Sequence, residues 1–107
     1  MIYNNILEAV GHTPMVRLNR MVEEDSAQVL VKFEAVNVGG SIKTRTALNM
    51  IEEAERKGLI KEDTIIVEPT SGNQGIGLAL VGAVKGYRTI IIKKTRQTLW
   101  RGCEIDT

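Results

Sequence analysis

Three apolar, β-rich runs separated by two helix-patterned stretches constrain this chain more than any other feature. Gln28–Val36 (QVLVKFEAV), Thr64–Pro69 (TIIVEP) and Tyr87–Lys93 (YRTIIIK) read as strands. Between the first two, Ile42, Ala47, Met50, Ile51 and Ala54 fall on one helical face. Glu52, Glu53, Glu55, Arg56 and Lys57 lie mostly opposite, and Gly58 supplies a stop. Between the second and third, a run of small residues reads as a helix ending at Gly86. Strand–helix–strand–helix–strand, with helices long enough for crossovers, predicts two right-handed βαβ units. The near-continuous apolar character at 29, 30, 31 and 33 implies a strand covered on both faces. The expected fold class is therefore α/β, an open, mainly parallel, three-layer sheet with at least three parallel strands.

The flanks are plainer. Residues 1–10 read as a short helix, with Asn4 or Asn5 as N-cap before Ile6, Leu7 and Val10. A turn at Gly11–Pro14 leads into a short strand, Met15–Leu18, and residues 20–27 are polar and loop-like. The last fifteen residues are polar, without clear periodicity, and hold the single Trp and the single Cys.

Composition excludes several function classes. The 107 residues fit one small domain, and with 43% hydrophobic but 4% aromatic residues its core must be built from Ile, Val, Leu, Ala and Met. A net charge of +1 points to neither nucleic acid nor a membrane surface as partner. The densest basic stretch, Lys93, Lys94 and Arg96, has no aromatic ladder beside it. Cys103 alone precludes an internal disulfide and fits a reducing compartment. No signal-peptide pattern and no bilayer-length apolar run is present, so the expected location is cytoplasmic. His12, the single histidine, sits in a turn and reads as structural, and no ligand cluster suggests a metal.

Ligands of open α/β sheets bind at the carboxyl ends of the strands. Two strand-to-helix junctions stand out there, and the topology expected above puts both on one sheet edge. The first is NVGGSIKTR, Asn37–Arg45. Ser41 is a candidate N-cap, which places Lys43 in the first helical turn. The positive end of the helix dipole, together with burial, disfavours an ammonium there. A lysine that can be neutral is a nucleophile able to form a Schiff base. The competing reading is a Gly-Gly turn into a helix carrying a solvated lysine. A Walker-A reading fails, because Ile42 and not glycine precedes the lysine.

The second junction is EPTSGNQGIG. Thr70, Ser71 and Asn73 cluster at a helix start, where free backbone N–H groups suit a carboxylate or phosphate. The competing reading is an ordinary helix start capped by Ser71 or Asn73. The glycine spacing is wrong for a dinucleotide fingerprint, and no acid sits at the expected strand end.

Taken together, GHTPMVRLNR, NVGGSIKTRTALNMIEEAE and VEPTSGNQGIGLALVGAVKGYRTIII resemble the N-terminal part of the cysteine synthase (O-acetylserine sulfhydrylase) family. The resemblance runs from Asn4 to Ile92. It implies the type II pyridoxal-phosphate fold, of which this would be the small domain. It implies that Lys43 is the lysine linked to pyridoxal phosphate and that Asn73 hydrogen-bonds the cofactor ring. It also implies that Thr70, Ser71, Gly72, Asn73 and Gln74 form the loop that grips the carboxylate of an amino-acid substrate. The implied reaction is replacement of the acetate of O-acetylserine by sulfide to give cysteine, with the cofactor as electron sink. Cystathionine β-synthase-type enzymes share such motifs.

The chain departs from the family pattern at three motif positions, with Val38 for proline, Thr44 for aspartate and Gln74 for threonine. Family members are also several times longer. The division implied is an N-terminal segment, 1–27, that in the family packs on a large domain, a small α/β domain, 28–92, and a divergent tail, 93–107. A chain so truncated is expected to be inactive alone. The alternative is a non-catalytic binding or regulatory fragment, associating with a full-length relative or with serine acetyltransferase. Self-association as a homodimer through an exposed edge or apolar face is the further partner expectation.

Overall fold

A computed structural model describes residues 1–70 and 72–93, with two short strands beyond them at Gln97–Thr98 and Cys103–Glu104. Expectations for Ser71, and for most of the tail from Lys94 on, lie outside the described residues.

The chain opens with a single 3-10 turn, Ile6–Ala9, and of the two candidate caps Asn5 is the one used. Its side chain accepts the Leu7 N–H, while the Glu8 carboxylate reaches back to the Asn5 N–H, closing a capping box. Strand β1 (Met15–Arg17) then pairs antiparallel with β2 (Leu30–Lys32), Val16 lying opposite Val31.

This pairing corrects the expectation for residues 28–36. They do not form a long strand inside the parallel sheet. Three residues are strand, and Val29, Leu30, Val31 and Phe33 remain between 38% and 49% exposed. The strand ends because Glu34 is drawn into a polar cluster with Thr13 and Arg45. The backbone turns there through two 3-10 segments, Glu34–Val36 and Val38–Gly40.

Helix α1 (Lys43–Arg56), strand β3 (Ile65–Pro69), helix α2 (Asn73–Lys85) and strand β4 (Arg88–Ile92) follow in the order the pattern predicts. β3 and β4 pair in parallel, Ile65 opposite Arg88 and Pro69 opposite Ile92. The molecule is thus an α/β domain with a parallel sheet and helices, and among the described residues that sheet has two strands. Both helices stop where glycine predicts. At Gly58 (φ +70°) the Leu59 N–H returns to the Ala54 carbonyl at 2.9 Å, and at Gly86 (φ +86°) the amide returns to Gly82 at 2.9 Å.

The core comprises Leu7, Ala47, Ile51, Leu78 and Val81, so the N-terminal turn contributes one of its members. The buried stripe of α1 is Thr44, Ala47 and Ile51, whereas Ile42 and Met50, expected on the inner face, stay about half exposed. The physical reason is the crossing with α2. A Cβ on Gly77 would lie 3.0 Å from the Lys43 carbonyl oxygen, 3.0 Å from Ala47 Cβ and 3.2 Å from Thr44 Cα. Only small groups fit at that contact, which turns the larger Ile42 and Met50 aside.

On its other side α2 approaches the sheet as closely. A side chain at Gly75 would meet Thr70 and Ile91, and one at Gly82 would meet Thr89. The layers therefore stack as sheet, α2, α1. The outer sheet face, with Ile65, Val67, Ile90 and Ile92, is open. No helix among the described residues is long and apolar enough to cross a membrane.

A polar clasp joins the far ends of the helices. Glu55 accepts from Lys85 Nζ at 2.8 Å and from the Tyr87 hydroxyl at 2.6 Å. Those bonds, Lys85's first, hold the Glu55 carboxyl below its ordinary value, and the bond to Glu55 pushes the Tyr87 phenol up. A depressed acid stabilises the fold above its unfolded value and loses that contribution as pH falls through the folded one. A raised phenol stabilises below its unfolded value and loses that contribution as pH rises through the folded one. Urea unfolding against pH should therefore show stability falling below about pH 4.5 and above about pH 10. Glu55→Gln should flatten both limbs, leaving in the acid limb the share of Glu34, which its bond to Arg45 lowers in the same way. Unchanged limbs in that variant would refute the assignment.

Candidate functional site

Lys43 is the first residue of α1 and so lies in its first turn as expected, but Ile42 and not Ser41 occupies the N-cap position. Ser41 is extended (φ −159°, ψ 172°), and its Oγ accepts the Lys43 N–H at 3.1 Å, satisfying one of the unpaired amides of the helix start. The Lys43 side chain is exposed. The burial invoked for a neutral amine is thus not supplied by the described residues, and the solvated reading of this side chain is the observed one. The two positive-φ glycines before it, Gly39 and Gly40 (both +83°), make the turn that aims the helix.

At the second junction, β3 ends at Pro69 and the Thr70 N–H bonds the Ile92 carbonyl at 3.0 Å, continuing the ladder by one rung. Gly72 occupies the N-cap position, and Asn73, the other described candidate, is the first helical residue and exposed. The Thr70 hydroxyl lies 3.4 Å from the Gly72 amide. Gln74 turns away from the loop, its amide donating to Met50 Sδ at 3.5 Å across the helix pair. An open cleft of about 390 Å³ sits at this helix start. Thr70, Gly72, Gly75, Ile76, Ala79, Ile91 and Lys93 line it, and Lys43 does not.

The two junctions meet, although not by the route the topology suggested. The strand before Lys43 is not in the β3–β4 sheet, so a shared sheet edge does not join them. The helix crossing does. The helices approach so closely at Gly77 that a Cβ there would meet the Lys43 carbonyl, and Asn73 lies one turn before Gly77 on the same face of α2. Lys43 and Asn73 thus open two helices that touch within a turn of their starts.

Thr44 is fully buried between Gly39 and Gly77, and its Oγ1 has no hydrogen-bond partner among the described residues. An aspartate there would be buried rather than solvated. His12 is exposed, with its ring 5.8 Å from that of Tyr3. Among the described residues no group of three or more His, Cys, Asp or Glu side chains is arranged to hold a metal.

Residues 34–45 carry a feature that motif reading missed. Arg45 Nε donates to both Glu34 oxygens at 3.0 and 3.1 Å, and Nη2 donates to the Gly11 carbonyl at 2.6 Å. Asn37, buried, accepts the Gly11 N–H at 2.8 Å and donates to the Ser41 carbonyl at 2.8 Å. One signal was present in the sequence. The first turn of α1 holds two cations and no acid, against the helix dipole, which calls for dedicated partners.

Residues 6–98 match the family described as pyridoxal-phosphate dependent enzymes. A cysteine synthase from a Flavobacterium species is 50% identical over 101 residues, covering 94% of this chain and 33% of that protein. The cystathionine beta-synthase of Rattus norvegicus is 50% identical over 100 residues, 92% of this chain and 18% of that one. The crystal structure of O-ureido-L-serine synthase superposes with a TM-score of 0.80 at 49% identity, over 87% of this chain and 29% of that one. The chain spans a third or less of the length of these relatives.

Proposed function

The chain belongs to the pyridoxal-phosphate dependent enzyme family, with cysteine synthases among its relatives at about 50% identity, and on that premise we propose that it carries the lysine half of a cysteine synthase-type site. The observation that supports this reading most is that the helices opened by Lys43 and Asn73 cross at Gly77, close to both starts. Members of the family use pyridoxal phosphate, and the donor set here suits it. The start of α1 bears an exposed primary amine, and the start of α2, the helix that crosses it, bears a carboxamide and an N-cap without a side chain. Lys43 would attach the group and Asn73 would hydrogen-bond its ring. When bound, the cofactor supplies the electron sink for chemistry at the substrate α-carbon.

The other steps belong to the chain. The amide-rich start at Thr70, Ser71, Gly72, Asn73 and Gln74 holds the α-carboxylate of an amino acid of the O-acetylserine type. The Lys43 amine removes the α-proton and returns it after sulfide has replaced acetate to give cysteine. Gln74 contributes through its backbone, since its side chain is engaged with Met50. In this division residues 28–92 form the lysine-bearing unit. The exposed part of 1–27, with Val16 and Met15 on β1, faces the large domain of longer relatives. A cytoplasmic location accords with this chemistry.

Lys43 and Asn73 are both open to water, and sites of this type need water excluded. The 107 residues alone are therefore expected to bind without turnover. The check is titration with pyridoxal phosphate while recording visible absorbance, with Lys43→Ala as control, followed by a cysteine assay with O-acetylserine and sulfide. A Lys43-dependent band without cysteine is the expected result. A band unchanged in Lys43→Ala would overturn the site, and cysteine formation would overturn the inactivity.

The open outer sheet face favours a second reading, a binding fragment that associates with another copy, a longer relative or serine acetyltransferase. Sedimentation of the chain alone and with each partner tests it, and a monomer throughout would exclude it.

A further inference from the structure

Lys43 is flanked by two residues tied to one distant point in the chain. On its N-terminal side the connection runs through hydrogen bonds only. The Gly11 N–H is held by Asn37 Oδ1 (2.8 Å), Asn37 Nδ2 holds the Ser41 carbonyl (2.8 Å), and Ser41 Oγ holds the Lys43 N–H (3.1 Å). On its C-terminal side Arg45 takes the Gly11 carbonyl (2.6 Å) and the Thr13 hydroxyl (3.3 Å). The same guanidinium grips both oxygens of Glu34, and Thr13 donates to that carboxylate at 3.1 Å. Both polar groups of the Gly11 backbone are thus spent on the two sides of Lys43.

Gly11 is suited to this place and few other residues would be. Its φ is +87°, and a Cβ there would lie 2.7 Å from Arg45 Nη1, where the guanidinium sits. Asn37 is 5% exposed, so its two hydrogen bonds, one to Gly11 and one to Ser41, are shielded from competing water.

From this geometry we infer that Gly11–Thr13 is a strap, and that Asn37 and Arg45 are positioning residues which hold it against the 34–41 turn and so fix the start of α1 from which Lys43 projects. The inference rests on the reading of Lys43 as the cofactor lysine. It extends that reading, because the N-terminal segment then sets the reactive residue as well as contributing to the core. A lysine that must meet a rigid aldehyde and then a substrate α-proton needs a fixed backbone, since small misplacements at such a group are costly in rate.

The test uses the full chain with Arg45→Lys, which keeps the charge opposite Glu34 but loses the planar fork, and Asn37→Ala as a second variant should the first not fold. Two readouts are taken. Amide hydrogen exchange on the cofactor-free protein should show the Lys43 N–H exchanging about tenfold faster, the effect of one ordinary hydrogen bond, with the α2 amides unchanged. Pyridoxal phosphate addition with borohydride reduction and peptide mapping should show the share of label on Lys43 falling several-fold relative to the other lysines. A purely structural role would raise exchange throughout and leave that share constant. Local exchange and label share both equal to wild type in a folded variant would overturn the strap. Label spread evenly over the lysines of the wild type would instead overturn the Lys43 reading, and the strap would then stand or fall on local exchange alone.

Discussion

Replacing Gly77 with valine is expected to separate α1 from α2 and to lower the melting temperature by about 10 °C. The Cβ alone would lie 3.0 Å from the Lys43 carbonyl and 3.0 Å from Ala47 Cβ, and the nearest atoms include backbone that has no rotamer to escape into. Overpacking of that kind costs about 1–3 kcal/mol. The helix-propensity gain on leaving glycine is under about 1 kcal/mol, least for a β-branched residue, so it does not compensate. In a domain of this size each kcal/mol corresponds to roughly 4–8 °C. Thermal unfolding followed by circular dichroism measures the effect. A melting temperature within about 2 °C of wild type, below roughly 0.5 kcal/mol on the same scale, would mean that the helices do not cross at Gly77. The joining of the Lys43 and Asn73 junctions would then lose its basis.

Leu7→Ala is expected to cost about 2–5 kcal/mol, the range for emptying a core leucine site. Leu7 is 9% exposed and sits with Ala47, Ile51, Leu78 and Val81 in a core of few members. Domains are stable by only about 5–15 kcal/mol in all, so this change alone should leave a large unfolded fraction in modest urea. Urea unfolding midpoints give the number, and a loss under about 1 kcal/mol would show that the N-terminal turn merely rests on the domain. The result bears on how the segment 1–27 is understood. Its residues 6–11 are held by the two helices and the 34–45 stretch, through Leu7 in the core and the hydrogen bonds of Gly11 to Asn37 and Arg45.

Elements whose signal is local were legible. Asn5 before an apolar pair, Gly58 and Gly86 after helical runs, and the β-branched stretches at 64–69 and 87–93 act within a few residues of themselves, and each appears where the pattern puts it. The apolar run at 29–33 misled because apolar content reports that a strand is near other apolar groups, not which partner it pairs with. Here the neighbour is β1, and the long strand is cut by a carboxylate committed to Arg45. The inner face of α1 misled for a related reason. Periodicity ranks Ile42 and Met50 above Thr44, but a crossing at glycine selects for smallness and not hydrophobicity.

By itself, the sequence determined that this protein is an α/β domain with helix starts within a residue or two of Lys43 and Asn73, and its motifs placed it in its family. Those properties follow from spacing, capping and turn chemistry, which are short-range. Only the tertiary structure decided that β2 leaves the parallel sheet, that α2 lies between the sheet and α1, and that Gly11 reaches both flanks of Lys43. Each of these depends on groups more than ten residues apart in the chain, from the β1–β2 pairs such as Val16 and Val31 to the Gly11–Asn37 pair at a separation of 26. Contacts of that kind leave no period in the chain, because what selects them is the volume and hydrogen-bonding capacity left over once the local elements have formed.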